Sequence, residues 1–480
     1  MYSFIIALVL LVLGYFLYGR FVEKVFGTDP ARPTPAVSMA DGVDYVPMPS
    51  WKVYMIQFLN IAGTGPIFGA IMGSKFGPSS YLWIVFGCIF AGAVHDFFTG
   101  MLSLRNGGAN LPELIRKYLG RGTSAVMFVF SILLMLLVGS VFVYSPAIIL
   151  GEMTGSLMLW VGIIFVYYLI ATLLPIDKII GRFYPIFAVA LIFMAVALGV
   201  CLFVKWPAIP EVWDGLGNLG EKTGLLKGQP IFPCLFITIA CGAISGFHAT
   251  QSPLMARCLK NEKMGRPIFY GAMITEGIVA LIWAAVGSYF FYAGGAAEVG
   301  STTAAQAPAV VTAVSKGWLG MLGGILAILG VVAAPITSGD TAFRSARLMI
   351  ADALHLDQKS YSKRLYIAVP MFALSALLLW FNIADENGFN TIWRYFGWAN
   401  QTLACFSLWA VTAYLTGAKK GVSYLITLIP AAFMTSVCTT YICVDRIGFN
   451  LPNAWIPYIG VGVFVLSICL YYILRKRALR

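Results

Sequence analysis

Thirteen apolar stretches, each close to twenty residues long and separated by short polar segments, set the terms on which this chain of 480 residues can fold. They lie near 3–20, 52–74, 80–104, 123–149, 157–176, 184–205, 231–254, 267–292, 318–342, 365–382, 393–415, 423–443 and 455–474. About twenty apolar residues is the length of an α-helix that crosses the hydrocarbon core of a bilayer. The predicted class is therefore an all-α polytopic membrane protein with about 13 transmembrane helices. Composition agrees, since charged residues make up 11% of the chain against about 25% in ordinary soluble domains. The first run, YSFIIALVLLVLGYFLYG, has no basic residue before it and no small-residue cleavage site after it, which predicts a retained span rather than a signal peptide.

Lys and Arg are retained on the cytoplasmic side of a membrane protein, whereas acidic residues matter little. With the N-terminus outside, the inner segments hold 25 of the 32 Lys and Arg residues and the outer segments seven. This asymmetry predicts a multi-pass inner-membrane protein with a cytoplasmic C-terminus. It also accounts for the net charge of +12 without nucleic acid as a partner. The expected partners are the lipid bilayer and a small-molecule substrate, and oligomeric state cannot be read from the sequence. Most of the nine cysteines fall within spans and none forms a CxxC pair, so they read as small core residues. No Walker A loop, GxGxxG fingerprint or HExxH motif occurs. Neither ATP-driven transport nor zinc hydrolysis is indicated, and no enzyme activity, cofactor or metal is expected.

Most connecting segments are short. Segment 25–50 is polar and proline-rich, and 107–120 and 345–364 read as amphipathic interfacial helices on the cytoplasmic side. On the outside, 205–230 reads as a loop and 293–317 as a loop containing a re-entrant or capping helix.

Two runs are broken in mid-span. The first contains IAGTGPIFGA (61–70), with Gly63, Thr64, Gly65 and Pro66 at its centre; the second contains IACGAISGFHATQSPL (239–254), with Gly242, Ser245, Gly246, His248, Thr250, Gln251 and Ser252. Irregular backbone at membrane depth is tolerated where it lines a protein-enclosed or watery cavity. Carbonyls near Ile61 to Gly63 would face a cation, and the half-helix starting near Gly65 would offer its positive end to an anion. Pro66 suits the first turn of the resumed helix, where no amide hydrogen is needed. Gly63, Thr64, Gly65, Ser245, Gly246, His248, Thr250 and Gln251 are therefore expected to bind substrate. The alternative is that the glycines serve close helix packing and the proline a kink. The second broken run begins the fifth span after the first and has the opposite direction, which is the pattern of an inverted-repeat secondary transporter. The chain then divides into a leading helix and cytoplasmic loop (1–50), two five-helix repeats (51–206 and 207–416) and two trailing helices (417–480).

Ionisable groups deep in a span cost about 2.5–3.5 kcal/mol on insertion scales and usually face the bundle interior. His95, Asp96, His248, Glu276 and Asp340 are so placed. Adjacent His and Asp can pass protons, or can form a hydrogen-bonded pair that ties helices together. Asp340 could instead be an exit-gate partner for Arg344 one helical turn on.

Four strings, DGVDYVP (41–47), IAGTGPIFG (61–69), GAVHDFF (92–98) and CGAISGFHA (241–249), resemble the carbon starvation protein A family of peptide and pyruvate transporters. The resemblance runs over nearly the whole chain, although large family members are longer. It implies ion-driven uptake of small carboxylates or short peptides and a fold resembling the leucine-transporter five-plus-five repeat. In folds of that kind a sodium site joins carbonyls of the first broken helix to hydroxyls of the eighth core span, a pattern that Thr337 and Ser338 fit; both could equally bond their own helix. Asn400, in GWANQTL (397–403), could face the same vestibule. Ion-coupling candidates are thus His95, Asp96, Glu276, Thr337, Ser338 and Asp340, with H⁺ the expected ion and Na⁺ the alternative. Two other functions stay open: a metabolite receptor without transport, and an intramembrane hydrolase using Ser245 and His248 as nucleophile and base.

Overall fold

Apolar runs become helices, and polar interruptions decide where those helices stop. The computed structural model describes residues 1–174, 176–358, 360–385, 388–418 and 421–478. Lys359, Lys419, Lys420 and Arg480, which enter the charge asymmetry, and the second interfacial segment at Lys359 fall outside them. Among the described residues the regular structure is entirely helical.

Helix α1 (Tyr2–Phe26) leads into a loop that carries DGVDYVP. The first broken run forms α2 (Ser50–Ile61) and α3 (Gly65–Ser74), bent by 54°. Next come α4 (Ser79–Arg105), the short α5 (Leu111–Leu119), α6 (Arg121–Thr154), α7 (Leu157–Leu173) and α8 (Ile176–Lys205). The second broken run gives α9 (Ile231–Thr238) and α10 (Gly246–Ala256), followed by α11 (Glu262–Tyr292). The remainder is α12 (Gly323–Ala353), α13 (Tyr361–Ala384), α14 (Gly388–Gly417), α15 (Leu425–Val444) and α16 (Ile456–Ala478). Nine helices among the described residues are long and apolar enough to cross a membrane, ten if the bent pair is one span. Runs expected at 157–176, 231–254 and 393–415 fall on α7, on α9 with α10, and on α14.

Segment 107–120 does form a helix, α5, which starts on an Asn110–Glu113 capping box. Residues 345–353, by contrast, are no interfacial helix. They continue α12, where Arg344, Ser345 and Arg347 are themselves buried and hydrogen-bonded inside the protein and so do not need to seek the membrane surface. Helix also begins at Ala307, and only Gly320 (φ 65, ψ −168) departs from it before α12.

Depth in the bundle follows from burial. The apolar windows of α4 and α11 are each 83% buried, against 28% for α1 and 11% for α16, so α4 and α11 form the centre and α1 and α16 the periphery. The two breaks, 61–65 and 239–245, lie against each other: a Cβ built on Gly65 would sit 2.3 Å from Cys241 Cβ, and Gly242 (φ +90) lies beside Pro66. Close approach of two irregular segments is what the absent side chains permit.

Candidate functional site

On α4, His95 Nδ1 lies 2.8 Å from Asp96 Oδ1. The other oxygen of the same carboxylate, Oδ2, lies 2.8 Å from His248 Nδ1 on α10. Across the His248 ring, Nε2 is 3.4 Å from Glu276 Oε2 on α11. All four side chains are fully buried. A buried charge is costly unless it is paired, and here each acid stands next to a base. The result is a linear chain, His95–Asp96–His248–Glu276, that bridges three helices. His95 Nε2, His248 Nε2 and both Glu276 oxygens lack hydrogen-bond partners, so the step from His248 to Glu276 is one of ion-pair distance and not a hydrogen bond. Cys241 places its Sγ within 4.8 Å of the His248 and Glu276 donor atoms, so among the described residues these three form a His/Cys/carboxylate group that could hold a metal ion.

Other predicted site residues separate into packed and unpartnered groups. Ser245 donates to Asn400 Oδ1 at 3.0 Å, and the same oxygen accepts the Phe247 N–H at 2.7 Å. The positive end of α10 is thereby satisfied by a side chain of α14. A Cβ built on Gly246 would meet Ala404 N and Asn400 O of α14 at 2.3 Å each. Thr250 donates to Phe247 O at 2.6 Å and accepts from Gln251 Nε2 at 2.8 Å. No Ser245–His248 pair forms, because Ser245 turns to Asn400 and the ring nitrogens of His248 face Asp96 and Glu276.

At the first break, Gly63 packs against Phe142, and the Thr64 hydroxyl is buried without a partner. So are all side-chain polar atoms of Gln57 and Asn60, in the last turns of α2. Sequence reasoning missed these two amides. Their signal was a pair three residues apart in the apolar run that carries the break. A buried amide left unsatisfied costs about 1–3 kcal/mol, so two in one turn mark a place where polar groups are held for something other than stability.

Helix α12 divides its candidates. Ser338 donates to Leu59 O at 2.8 Å and so joins α12 to the broken helix. Thr337 bonds back to its own helix, at Ala333 O (3.0 Å) and Ala334 O (2.9 Å). Asp340 does not pair with Arg344. Its Oδ2 accepts from Tyr184 O–H at 2.6 Å, while Arg344 donates to Leu174 O and Ala171 O at 2.8 and 2.7 Å. The carbonyls at the end of α7, of which Ala171 O also accepts the Leu174 N–H at 3.3 Å, draw the guanidinium away.

A cavity of about 630 Å³ opens at one end of the bundle, with Lys75, Arg394 and Arg446 among its lining residues and Phe68 and Thr238 near the breaks. The rings of Phe68 and Trp393 stand 6.2 Å apart there. At the opposite end the DGVDYVP segment lies across the bundle. Asp41 Oδ1 accepts the amides of Val43, Asp44 and Tyr45 at 2.8, 3.0 and 2.9 Å, which folds the strap on itself. Tyr45 O–H donates to Gly107 O, Met48 N–H to Cys258 O, and Asp44 Oδ1 stands 3.9 Å from the guanidinium of buried Arg347.

The family model for "Carbon starvation protein CstA" matches residues 1–154, 143–318 and 314–441. An uncharacterized membrane protein of Haemophilus influenzae is 47% identical over 336 residues, covering 60% of this chain and 91% of that protein. The peptide transporter CstA of Escherichia coli is 26% identical over 89% of this chain and 78% of its own length. For the pyruvate/proton symporter BtsT of the same organism the figures are 31%, 56% and 46%, so the match spans less than half of that relative. Among solved structures, a mutant of the Eremococcus coleocola manganese transporter aligns with a TM-score of 0.60 at 13% identity, over 92% of this chain and 100% of that one. A Na⁺-coupled sialic acid symporter aligns at 0.53 and 14%, over 95% and 96%. These neighbours show the fold, that of leucine-transporter-like transporters, and the named relatives support transport as the activity class. With the family model covering all but the last segment of the sequence, the chain belongs to the carbon starvation protein CstA family.

Proposed function

We propose that this chain imports a small carboxylate, such as pyruvate, or a short peptide across the inner membrane by alternating access, coupled to protons. In this reading thirteen helices cross the membrane: one leads, two inverted five-helix repeats (51–206 and 207–416) form the core, and two trail. The N-terminus is outside, so the Lys75 cavity opens outward and the Asp44–Arg347 end is the closed cytoplasmic side. Sites for substrate lie at the first break, where Thr64, Gln57 and Asn60 keep unpartnered polar atoms.

One observation carries the coupling: the alternating base–acid chain His95–Asp96–His248–Glu276 sits where both breaks and the two central helices meet. Adding a proton changes the charge of that chain inside a medium where charge is expensive. His248 lies two residues into a half-helix whose preceding backbone is irregular, so the charge change acts on the least supported part of the core. Names of the relatives, a peptide transporter and a pyruvate/proton symporter, support the same substrate class and ion. Sodium is the alternative, through Ser338 and the α2 carbonyls.

A counterflow screen in proteoliposomes tests this, with pyruvate, lactate, amino acids and dipeptides under separately imposed proton and sodium gradients. Accumulation of one of these acids with a proton gradient alone is expected. If no compound is concentrated under either gradient, transport of this class is ruled out and a receptor that binds without translocation gains support.

A further inference from the structure

Cations are scarce on the side assigned as outside, where seven of the 32 Lys and Arg residues lie. Three of those seven, Lys75, Arg394 and Arg446, line the same cavity. Among the described lining residues the only acid is Asp445, and it stands 3.5 Å from Arg394. The cavity therefore carries a positive excess that its own acid does not cancel.

Lys75 is the unusual member. It is 7% exposed, and no described carboxylate lies within ion-pair distance of its ammonium. The ammonium stands over the ring of Phe291, 4.7 Å from the centroid. A ring face attracts a cation but supplies no hydrogen-bond acceptor in the manner of an oxygen. Burial pushes the pKa of Lys75 down from its ordinary value, as expected of a cation short of counter-charge. Arg394 has Asp445 and Arg446 is exposed, whereas Lys75 has no carboxylate and only slight exposure. Such a group is completed by an anion that arrives from the cavity Lys75 lines, and a carboxylate is the anion that the proposed substrates carry.

We propose that the vestibule captures the carboxylate of the incoming substrate and that Lys75 is its specificity-determining residue. The proposal rests on the transport reading and narrows it: an acid is selected over its neutral ester or amide before the central site is reached. Pyruvate presents its single carboxylate, and a dipeptide presents its C-terminal one, so the shared chemistry is a carboxylate with a small body behind it.

The test reads Lys75 itself. The full chain in proteoliposomes is acylated with a small amine reagent, and modification of Lys75 is quantified by mass spectrometry in the presence of pyruvate, Ala-Ala, methyl pyruvate or Ala-Ala amide. Exposed Lys222 and Lys227 serve as internal controls. At least one of the two acids is expected to slow Lys75 modification about fivefold or more, while its neutral counterpart does not and the controls are unmoved. Lys75→Met is expected to raise KM for that acid about tenfold, and Lys75→Arg to recover most of the loss. Equal protection by acid and neutral analogue, or protection by neither acid, overturns the proposal. Uptake that proceeds without protection sinks the capture site alone; protection without uptake of any compound keeps it and sinks transport. Should Lys75→Met fail to fold, the protection measured on the unaltered chain decides.

Discussion

Asp96 and His248 are 152 positions apart in the chain, yet Oδ2 of one lies 2.8 Å from Nδ1 of the other, where α4 passes α10. Opposite charges some 4 Å apart attract by about 4 kcal/mol at an effective dielectric of 20. Each 1.4 kcal/mol is about a factor of ten in an equilibrium, so a proton that cancels one charge of such a pair can shift a conformational balance by up to about three orders of magnitude. Under the proposed coupling the pair would join a chemical event to a mechanical one, with the charge state of α4 setting how firmly the start of α10 is held.

The first prediction follows for Asp96→Asn. The substitution keeps the volume and one hydrogen bond to His248 but removes the titratable carboxylate between two imidazoles. Accumulation driven by a proton gradient is expected to be lost, while exchange at equal pH continues at a reduced rate. Paired counterflow and gradient-driven assays measure the two separately. An Asn variant that concentrates substrate with unchanged pH dependence would make the cluster structural.

A second prediction separates Ser338 from Thr337. The Ser338 hydroxyl bridges to Leu59 O in the broken helix, so Ser338→Ala removes an inter-helix bond and is expected to cost about 1 kcal/mol. Thr337 bonds only its own helix, and Thr337→Val is expected to be nearly neutral. Thermal unfolding in detergent checks the order. In transport, Asp340→Asn leaves Tyr184 with a weaker acceptor and is expected to impair proton-driven uptake more than either hydroxyl change. Sodium stimulation at fixed pH that disappears only in Ser338→Ala would instead make sodium the coupling ion.

Much of this was legible in the sequence, for reasons that differ from part to part. Hydrophobic length marked the helices because the bilayer admits few alternatives. Glycines marked both breaks, yet their partners were hidden: Gly65 reads as space for a ligand until the fold sets Cys241 against it, and Gly246 until α14 does. The adjacency of His95 and Asp96 was visible, whereas the contacts of Asp96 with His248 and of His248 with Glu276 are long-range, and nothing local encodes them. Helical spacing offered Arg344 as an alternative partner for Asp340, but the carbonyls at the end of α7 compete for that guanidinium. Gln57 and Asn60 escaped notice because amides in an apolar run resemble helix-packing residues until their lack of partners is seen.

A third prediction tests the crossing of the two breaks. Any Cβ at position 65 falls 2.3 Å from Cys241 Cβ and 2.4 Å from its Sγ. Gly65→Ala is therefore expected to lower the yield of folded protein through overpacking, by about 1–3 kcal/mol. Adding Cys241→Gly removes both clashing atoms and is expected to restore much of that loss, giving a coupling well above the 0.5 kcal/mol typical of independent sites. Thermal stability of the four proteins in this cycle decides it. Gly246→Ala has no such remedy, because its clash is with the backbone of α14. Additive losses at positions 65 and 241 would mean that the two segments do not touch.

The last prediction concerns the closed end. Asp44, on the folded strap, faces Arg347, and Arg257 stands 3.7 Å from Asp352 while donating to Gly108 O at 3.0 Å. Beneath the strap, Cys258 is fully buried, with its carbonyl accepting the Met48 amide at 3.1 Å. Removing one member of a buried pair leaves the other uncompensated, a cost that falls here on the state in which the strap is closed. Arg347→Gln is thus expected to favour opening and to raise the rate at which a water-soluble maleimide reaches Cys258 by at least about tenfold. Mass spectrometry identifies the labelled cysteine, so the eight others need no replacement. Arg394→Gln breaks an ion pair at the opposite end and is expected to leave Cys258 protected. If Arg347→Gln leaves labelling of Cys258 unchanged while the protein stays folded, the strap is a fixed lid and opening must occur elsewhere.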